Sequence, residues 1–142
     1  MRFWDSSALV PLVIDEAPRA KLLDLLDQDA VMVVWWGTPV EVVSALARHE
    51  REGSLTLAET TQALGQLRAL SGIWQEILAT QAVRSVAQRL LRTHALQAAD
   101  SLQLAAATIA AENEPATLEF VSLDARLNEA ATREGFRVTN LP

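Results

Sequence analysis

The sequence contains no cysteine, only two histidines and only one lysine. Without cysteine the chain has no disulfides, no thiolate metal ligands and no thiol nucleophile, and it is compatible with a reduced cytoplasmic setting. His49 and His94 are far apart and lie close to arginines near predicted helix ends, which favours surface positions and does not suit a zinc site. A metal site in this chain would therefore use oxygen ligands, which magnesium and manganese prefer.

A long uninterrupted apolar run is also missing. Residues 30–47 carry a single charge, Glu41, but Gly37 and Pro39 interrupt the stretch, which is typical of a strand, a turn and a helix and not of a membrane span. Asp5 comes too early for the apolar centre of a signal peptide. We therefore expect a cytoplasmic protein without a transmembrane segment.

Positive charge is scarce as well. The 142 residues carry a net charge of −6, which argues against a protein that binds nucleic acid only through a broad basic surface. All twelve cations except Lys21 are arginine, which suits phosphate oxygens, although a compositional bias toward arginine explains this equally well. Half of the residues are hydrophobic, and the length and composition predict one domain over residues 1–142.

Strand and helix patterns alternate along the chain. Short apolar or β-branched runs predict strands at residues 1–4, 31–36, 118–122 and 136–139, and residues 73–80 are ambiguous but compatible with a strand. Helical spacing predicts helices at residues 8–14, 17–28, 39–52, 57–70, 81–92, 95–111 and 125–134. This alternation predicts an α/β fold with a mostly parallel sheet covered by helices on both faces.

Four acidic residues stand in apolar surroundings, where an unpaired carboxylate is unfavourable. They are Asp5, Glu41, Asp100 and Asp124. Asp5 and Asp124 follow predicted strands, and Glu41 lies in the first turn of a helix after another strand. Three of the acids therefore point to the carboxyl edge of the sheet, where ligands bind in such folds. A divalent cation is the obvious partner for these carboxylates.

Each acid also has a simpler structural explanation. Asp5 and Asp124 could cap the helices that follow them, and Thr38 with Glu41 fits a capping box, which taken alone is the better reading of that glutamate. Asp100 lies inside the alanine-rich helix predicted at residues 95–111, where a cap does not explain it, although Gln97 or Gln103 could bond it as a structural aspartate. The quartet is a stronger indication of a site than any member alone.

Four segments resemble the motifs of PIN-domain ribonucleases, and their order and the chain length are most similar to those of the VapC toxins. The segments are FWDSSAL at residues 3–9, TPVEVVSAL at 38–46, LQAADSLQLAAA at 96–107 and FVSLDARL at 120–127. The resemblance covers essentially the whole chain. It implies a three-layer α/β/α sandwich with a parallel sheet of about five strands.

The resemblance also implies a site and partners. Asp5 and Asp100 would be the principal ligands of Mg²⁺ or Mn²⁺, with Glu41 and Asp124 bound directly or through water. Ser6 and Ser122 would hold the acids in place, and Arg126 would contact a phosphate. The implied partners are an RNA substrate, a cognate antitoxin that covers the acidic pocket and a second copy of the chain in a homodimer. Trp35 and Trp36 are expected to fill core and interface positions.

The expected activity is hydrolysis of RNA phosphodiester bonds that leaves a 5′-phosphate and a 3′-hydroxyl. A divalent cation lowers the charge of the phosphate and activates water, so the ribose 2′-hydroxyl is not needed.

Two other kinds of protein that gather acids at strand ends do not fit the sequence. A receiver domain would need a lysine at its site, but the only lysine, Lys21, lies in a predicted amphipathic helix. A haloacid-dehalogenase-like phosphatase would need an acid where Ser7 stands. The alternative that stays open is a PIN-like domain that serves only as a binding or scaffolding module.

Overall fold

The computed structural model describes residues 1–141. Its strands are β1 (Arg2–Trp4), β2 (Met32–Trp35), β3 (Gln75–Ile77), β4 (Glu119–Val121) and β5 (Arg137–Val138). They form a five-stranded sheet in the order β3-β2-β1-β4-β5, and every neighbouring pair is parallel. Phe3 of the central strand stands between Val33 and Phe120. Because parallel neighbours need crossover connections, helices separate the strands along the chain.

Seven α-helices cover the sheet. They are α1 (Ser6–Val13), α2 (Arg19–Gln28), α3 (Thr38–Arg51), α4 (Leu57–Ser71), α5 (Gln81–Thr93), α6 (Ala98–Ala110) and α7 (Ala125–Arg133), with a short 3₁₀ turn at Pro115–Thr117. Helices α1 to α4 pack on one face around Trp4, Val34 and Val121. Helices α5 to α7 pack on the other around Phe3 and Phe120, whose rings stack with centroids 5.5 Å apart. The predicted three-layer α/β/α architecture is confirmed.

The chain changes direction across the sheet between β1 and β4. The connections after β1 and β2 lie on the face of α1 to α4, and those after β3 and β4 lie on the face of α5 to α7. The loops after β1 and β4 therefore diverge to opposite faces although these strands are neighbours. Such a switch point opens a crevice at the carboxyl ends of the strands, which is the usual ligand site of open α/β sheets.

Two helix boundaries differ from the prediction. Helix α1 begins at Ser6 and not at residue 8, because the Asp5 carboxylate accepts the backbone N–H of Ser7 and caps the helix two residues earlier. Helix α6 begins at Ala98 and not at residue 95, because residues 94–97 form the turn from α5. In this turn the N–H of Leu96 bonds the carbonyl of His94 at 3.0 Å. The ambiguous segment at 73–80 contains the edge strand β3.

The predicted surface position of His94 is wrong. Its side chain is 6% exposed and its Nε2 lies 2.8 Å from Glu134 Oε2, because the glutamate at the end of α7 gives the ring a polar partner inside the fold. Trp35 is buried, as predicted for a core position, and Trp36 is exposed. None of the helices in the described part of the chain combines the length and the apolar character needed to cross a membrane.

Candidate functional site

Asp5 is a buried carboxylate at the carboxyl end of β1. Its side chain is 3% exposed. One oxygen, Oδ2, accepts hydrogen bonds from Ser7 Oγ at 2.5 Å, from Ser122 Oγ at 2.8 Å and from the N–H of Ser7 at 3.3 Å. The other oxygen, Oδ1, has only the Ser6 hydroxyl at 3.4 Å. Capping and hydrogen bonding therefore use one side of the carboxylate and leave the other side largely free.

Asp124 follows β4, the strand beside β1. It caps α7, since its Oδ1 accepts the N–H of Leu127 at 3.0 Å. Ser122 connects it to Asp5, because the Ser122 hydroxyl accepts the N–H of Asp124 at 3.0 Å and donates to Asp5. The two aspartates thus approach each other through the pairing of β1 with β4, although they come from opposite ends of the chain.

Glu41 lies in the first turn of α3, but the predicted capping box with Thr38 is wrong. Helix α3 is capped by Gly37 without a side-chain bond, and Thr38 is fully buried inside the first turn. Glu41 instead accepts a hydrogen bond from Gln103 Nε2 at 2.8 Å and from the Ser6 hydroxyl at 3.2 Å. These bonds direct the glutamate across the crevice toward Asp5.

Asp100 lies in the first turn of α6 and not in the middle of a helix. The proposed structural role through Gln103 is not observed, since the Gln103 amide donates to Glu41 and to Thr38. Asp100 is half-buried and comes from the helical layer opposite to the one that carries Glu41, so the four acids reach the crevice from both faces of the sheet.

The electrostatics of these groups indicate a shared negative site. Burial raises the pKa of Asp5 despite hydrogen bonds from Ser7 and Ser122, and the charge of Asp124 adds to the rise. Burial, followed by the charges of Asp124 and Asp5, raises the pKa of Asp100. Burial raises the pKa of Glu41 to about 7, with contributions from the charges of Asp5 and Asp100, although bonds from Gln103 and Ser6 oppose it. These couplings link the four carboxylates into one set, in which each interacts with at least two of the others.

No cation balances this charge within residues 1–141. The salt bridges formed there involve other acids, and none includes Asp5, Glu41, Asp100 or Asp124. Both histidines are bonded elsewhere, His49 to Ser54 and His94 to Glu134. A concentration of oxygen donors without a basic partner suits a hard divalent cation.

The spacing of the acids sets a limit on how such an ion could be held. No three acidic or histidine side chains in the described residues are close enough together to ligate one ion directly. The donor set fits magnesium or manganese in its chemistry and charge, but only with few direct protein ligands. This coordination is normal for magnesium, which keeps several of its waters and is often held by one or two carboxylates.

Two supporting residues were missed by sequence reasoning. The Ser7 hydroxyl donates to Asp5 and accepts the N–H of Leu123 at 2.9 Å, so that it ties the β1 and β4 loops together. Gln103 is fully buried, and its amide orients Glu41. In the sequence, the serines after Asp5 indicate only a helix cap. Gln97 and Gln103 both lie close to Asp100 in the sequence, and nothing there shows which of them would bond a carboxylate of the site. Arg126, a predicted supporting residue, is exposed in the first turn of α7, two residues after Asp124.

A cavity of about 800 Å³ opens next to the acids. Ser6, Glu41 and Gln97 line its near end, and Arg48 and His49 lie at its far end along α3. Its volume is in the range of small-molecule and cofactor sites. The site therefore combines convergent carboxylates with an accessible space beside them.

Comparison with known proteins concerns the fold. No protein-family model matches the sequence, and no curated protein matches it significantly. Among solved structures, a chain of the FitAcB crystal structure from Neisseria gonorrhoeae is similar with a TM-score of 0.66 and 16% sequence identity, covering 99% of this chain and 97% of that chain. The protein therefore has the predicted PIN-like α/β fold, a five-stranded parallel sheet between helical layers, over nearly its whole length.

Proposed function

We propose that the protein is a Mg²⁺- or Mn²⁺-dependent endoribonuclease that hydrolyses RNA phosphodiester bonds. One observation carries the proposal: four carboxylates from two helical layers and two loops converge at the switch point of the sheet, and no basic side chain in the described residues pairs with them. Such an arrangement is unfavourable in the ligand-free protein, and a bound cation would relieve the repulsion. The resemblance of the four sequence segments to PIN-domain motifs agrees with this activity.

The residues divide into ligands and supports. Asp5 would hold a divalent cation through the free side of its carboxylate, with Asp100 as the second principal ligand and Glu41 and Asp124 acting directly or through water. The hydroxyls of Ser6, Ser7 and Ser122 and the Gln103 amide fix the carboxylates. When bound, the cation neutralises phosphate charge and lowers the pKa of a coordinated water. Arg126 would contact a phosphate oxygen at the edge of the site.

The decisive experiment compares Asp100→Asn with the wild type. We expect the purified protein to cleave labelled RNA with Mn²⁺ and not with chelator, and to leave 5′-phosphate and 3′-hydroxyl ends. Asp100→Asn should reduce the rate by more than the roughly 10–100-fold typical of second-shell changes. The exposed Asp24→Asn, which removes the same charge from α2, should cleave normally. Full activity in Asp100→Asn, or a 2′,3′-cyclic phosphate product, would refute the mechanism.

One observation favours the second candidate, a PIN-like module without catalytic activity. In the described residues no three acids are close enough together to ligate one ion directly. A PIN-like module that does not bind metal would show the same spacing. Calorimetry with Mn²⁺ separates the candidates, since the nuclease must take up the ion and the silent module need not. If the protein takes up Mn²⁺ and cleaves RNA, the silent module is excluded. If the folded protein does neither, the silent module is supported.

The motif resemblance further supports a role as the toxin of a VapBC-type pair. In that case a cognate antitoxin covers the acidic crevice, and its basic side chain takes the place of the cation. Expression of the protein alone should arrest growth, and expression together with the product of the adjacent reading frame should relieve it. If Asp100→Asn still arrests growth, the toxicity does not depend on the carboxylate site.

A homodimer is the proposed assembly. Three apolar side chains are exposed at one edge of the sheet: Trp36 and Leu78 directly after β2 and β3, and Val40 in the first turn of α3, with exposures of 54, 60 and 69%. The backbone N–H of Trp36 bonds the carbonyl of Ile77, so Trp36 and Leu78 belong to the same edge. Sedimentation should give a dimer for the wild type and a larger monomer fraction for Trp36→Ser.

A further inference from the structure

Positive charge is concentrated on one side of this acidic protein. Helix α5 carries Arg84, Arg89 and Arg92 and has no acidic residue between Gln81 and Thr93. Helix α7 adds Arg126 and Arg133. Two of the seven helices therefore supply five of the twelve cations in a chain whose net charge is −6. We call Arg89, Arg92, Arg126 and Arg133 the α5–α7 basic surface.

These arginines border two adjoining hollows. The first, of about 330 Å³, is lined by Arg126 and Arg133, by Thr93 and Leu96, and by one acid, Glu129. The second, of about 520 Å³, is lined by Gln88, Arg89, Arg92 and Thr93. Because Thr93 lines both, the two hollows adjoin, and arginines border them along α7 and at the C-terminal end of α5.

The α5–α7 basic surface begins at the acidic site. Arg126 is two residues beyond Asp124, and Leu96 directly precedes Gln97, the residue that caps the helix of Asp100. Arg133 lies seven residues after Arg126, about 10 Å farther along the same side of α7. The basic surface therefore leads from the carboxylates toward the far end of α5.

Local structure does not account for most of these charges. Arg92 and Arg126 form no salt bridge with any acid in residues 1–141, and Arg133 pairs only with Glu129, where both side chains are more than 60% exposed. Such an exposed pair contributes little to stability. Arg126 in addition stands in the first turn of α7, where the helix dipole disfavours a cation. Only Arg89 has a firm partner, Glu134 at 2.8 Å.

We propose that the α5–α7 basic surface binds the sugar–phosphate backbone of single-stranded RNA next to the bond held at the carboxylates. This inference rests on the proposed nuclease function and deepens it. Phosphate is the better match than an acidic protein segment, because all four cations are arginines, whose planar forks suit phosphate oxygens, and because the surface is continuous with the proposed cleavage site. It also explains how a protein with net negative charge holds a polyanion.

The test measures RNA binding without cleavage. Anisotropy of a labelled single-stranded RNA is followed in chelator over a range of NaCl concentrations for the wild type, for Arg92→Gln/Arg133→Gln and for the control Arg51→Gln/Arg68→Gln. The control removes the same charge from exposed positions on α3 and α4. We expect the first variant to lower the slope of log Kd against log[NaCl] by about 1.4, roughly 0.7 for each lost phosphate contact. The control should keep the wild-type slope.

The outcomes separate this inference from the proposed activity. Equal slopes for the two double variants, or no RNA binding by the wild type, would overturn the basic surface even if the protein cleaves RNA with Mn²⁺. A slope that falls only in Arg92→Gln/Arg133→Gln supports the surface even if no cleavage is detected. Poly-glutamate that binds as tightly as RNA, with the same loss in that variant, would assign the surface to an acidic protein segment and reject RNA.

Discussion

At the scale of single residues, capping a helix and serving a site are compatible roles. Asp5 and Asp124 each use a carboxylate oxygen to cap the following helix, which the sequence predicts for both. Asp5 keeps its second oxygen directed toward the crevice, with only Ser6 near it. A strand-to-helix corner in a parallel sheet therefore supplies a fixed carboxylate, because the cap sets its rotamer and leaves one oxygen for a ligand.

The pKa of Glu41 gives a pH dependence of stability. Its pKa is about 7 in the folded protein against 4.5 in the reference state, so the folded state binds the proton more tightly and stability falls as pH rises from about 4.5 to 7. Glu41 is partly exposed, so solvent screening reduces the effect to about 1–2 kcal/mol. We expect urea denaturation in chelator to show this loss for the wild type and a flatter profile for Glu41→Gln.

Glu129→Gln is the matched control for this titration. Glu129 is exposed and pairs only with Arg133, so Glu129→Gln should keep the loss of stability that burial of Glu41 causes. If Glu41→Gln and the wild type lose the same stability between pH 5 and pH 8, burial of Glu41 does not govern the profile.

At the scale of secondary-structure elements, the turn from β2 to α3 positions Glu41. A Cβ on Gly37 would lie 2.5 Å from the indole nitrogen of Trp35, and Trp35 is buried. The turn therefore needs glycine at position 37, because a side chain there would collide with the indole ring of Trp35. A Cβ on Gly65, in the middle of α4, would have no neighbouring atom within 4 Å. Glycine at that position therefore has no steric reason and only weakens the helix.

These two glycines give a matched pair of predictions. Gly37→Ala should destabilise the protein by about 1–3 kcal/mol, because the indole or the turn must move. Gly65→Ala should stabilise it by about 0.5–1 kcal/mol through helix propensity. Both values come from urea denaturation midpoints, and a Gly37→Ala protein as stable as the wild type would show that Trp35 accommodates the methyl group freely.

Helices and strands were predicted well as elements and less well at their ends. The apolar periodicity located four of the five strands and all seven helices, and it left the segment that contains β3 ambiguous. Helix α6 was recognised from its buried residues, among them Leu104, Ala105 and Ala106. The start of α6 was misplaced because alanine and leucine continue through the turn at residues 94–97. The capping box predicted for Thr38 and Glu41 does not form, whereas Thr56 and Glu59 of α4 do form one. Both pairs have a threonine three residues before a glutamate, so this local pattern does not show which pair forms the box.

At the scale of the whole molecule, the strand order brings distant segments together. Ser122 Oγ lies 2.8 Å from Asp5 although 117 positions separate the residues in sequence. This contact exists because β4 inserts beside β1 after the chain has crossed the sheet. The concentration of negative charge at one edge is thus a property of topology and not of any local segment.

Bound metal should stabilise the folded protein as a whole. An ion that binds only the folded state adds about 2.7 kcal/mol to the free energy of unfolding at a hundred times its Kd, and at the proposed site it would also relieve repulsion among the acids. We expect Mn²⁺ to raise the melting temperature of the wild type and of Glu129→Gln. Asp100→Asn should be at least as stable as the wild type in chelator and should gain less from Mn²⁺. Equal gains in all three proteins would place any bound ion elsewhere.

The sequence by itself determined the elements, the layered α/β class and the positions of the four acids, because periodicity, capping residues and isolated charges in apolar stretches are local signals. Only the tertiary structure decided which groups surround those acids, since the contacts of Ser7 and Gln103 join segments that are far apart in the chain. It also decided that scattered arginines on α5 and α7 share one surface, because helix packing on the sheet, and not sequence spacing, sets which side chains become neighbours.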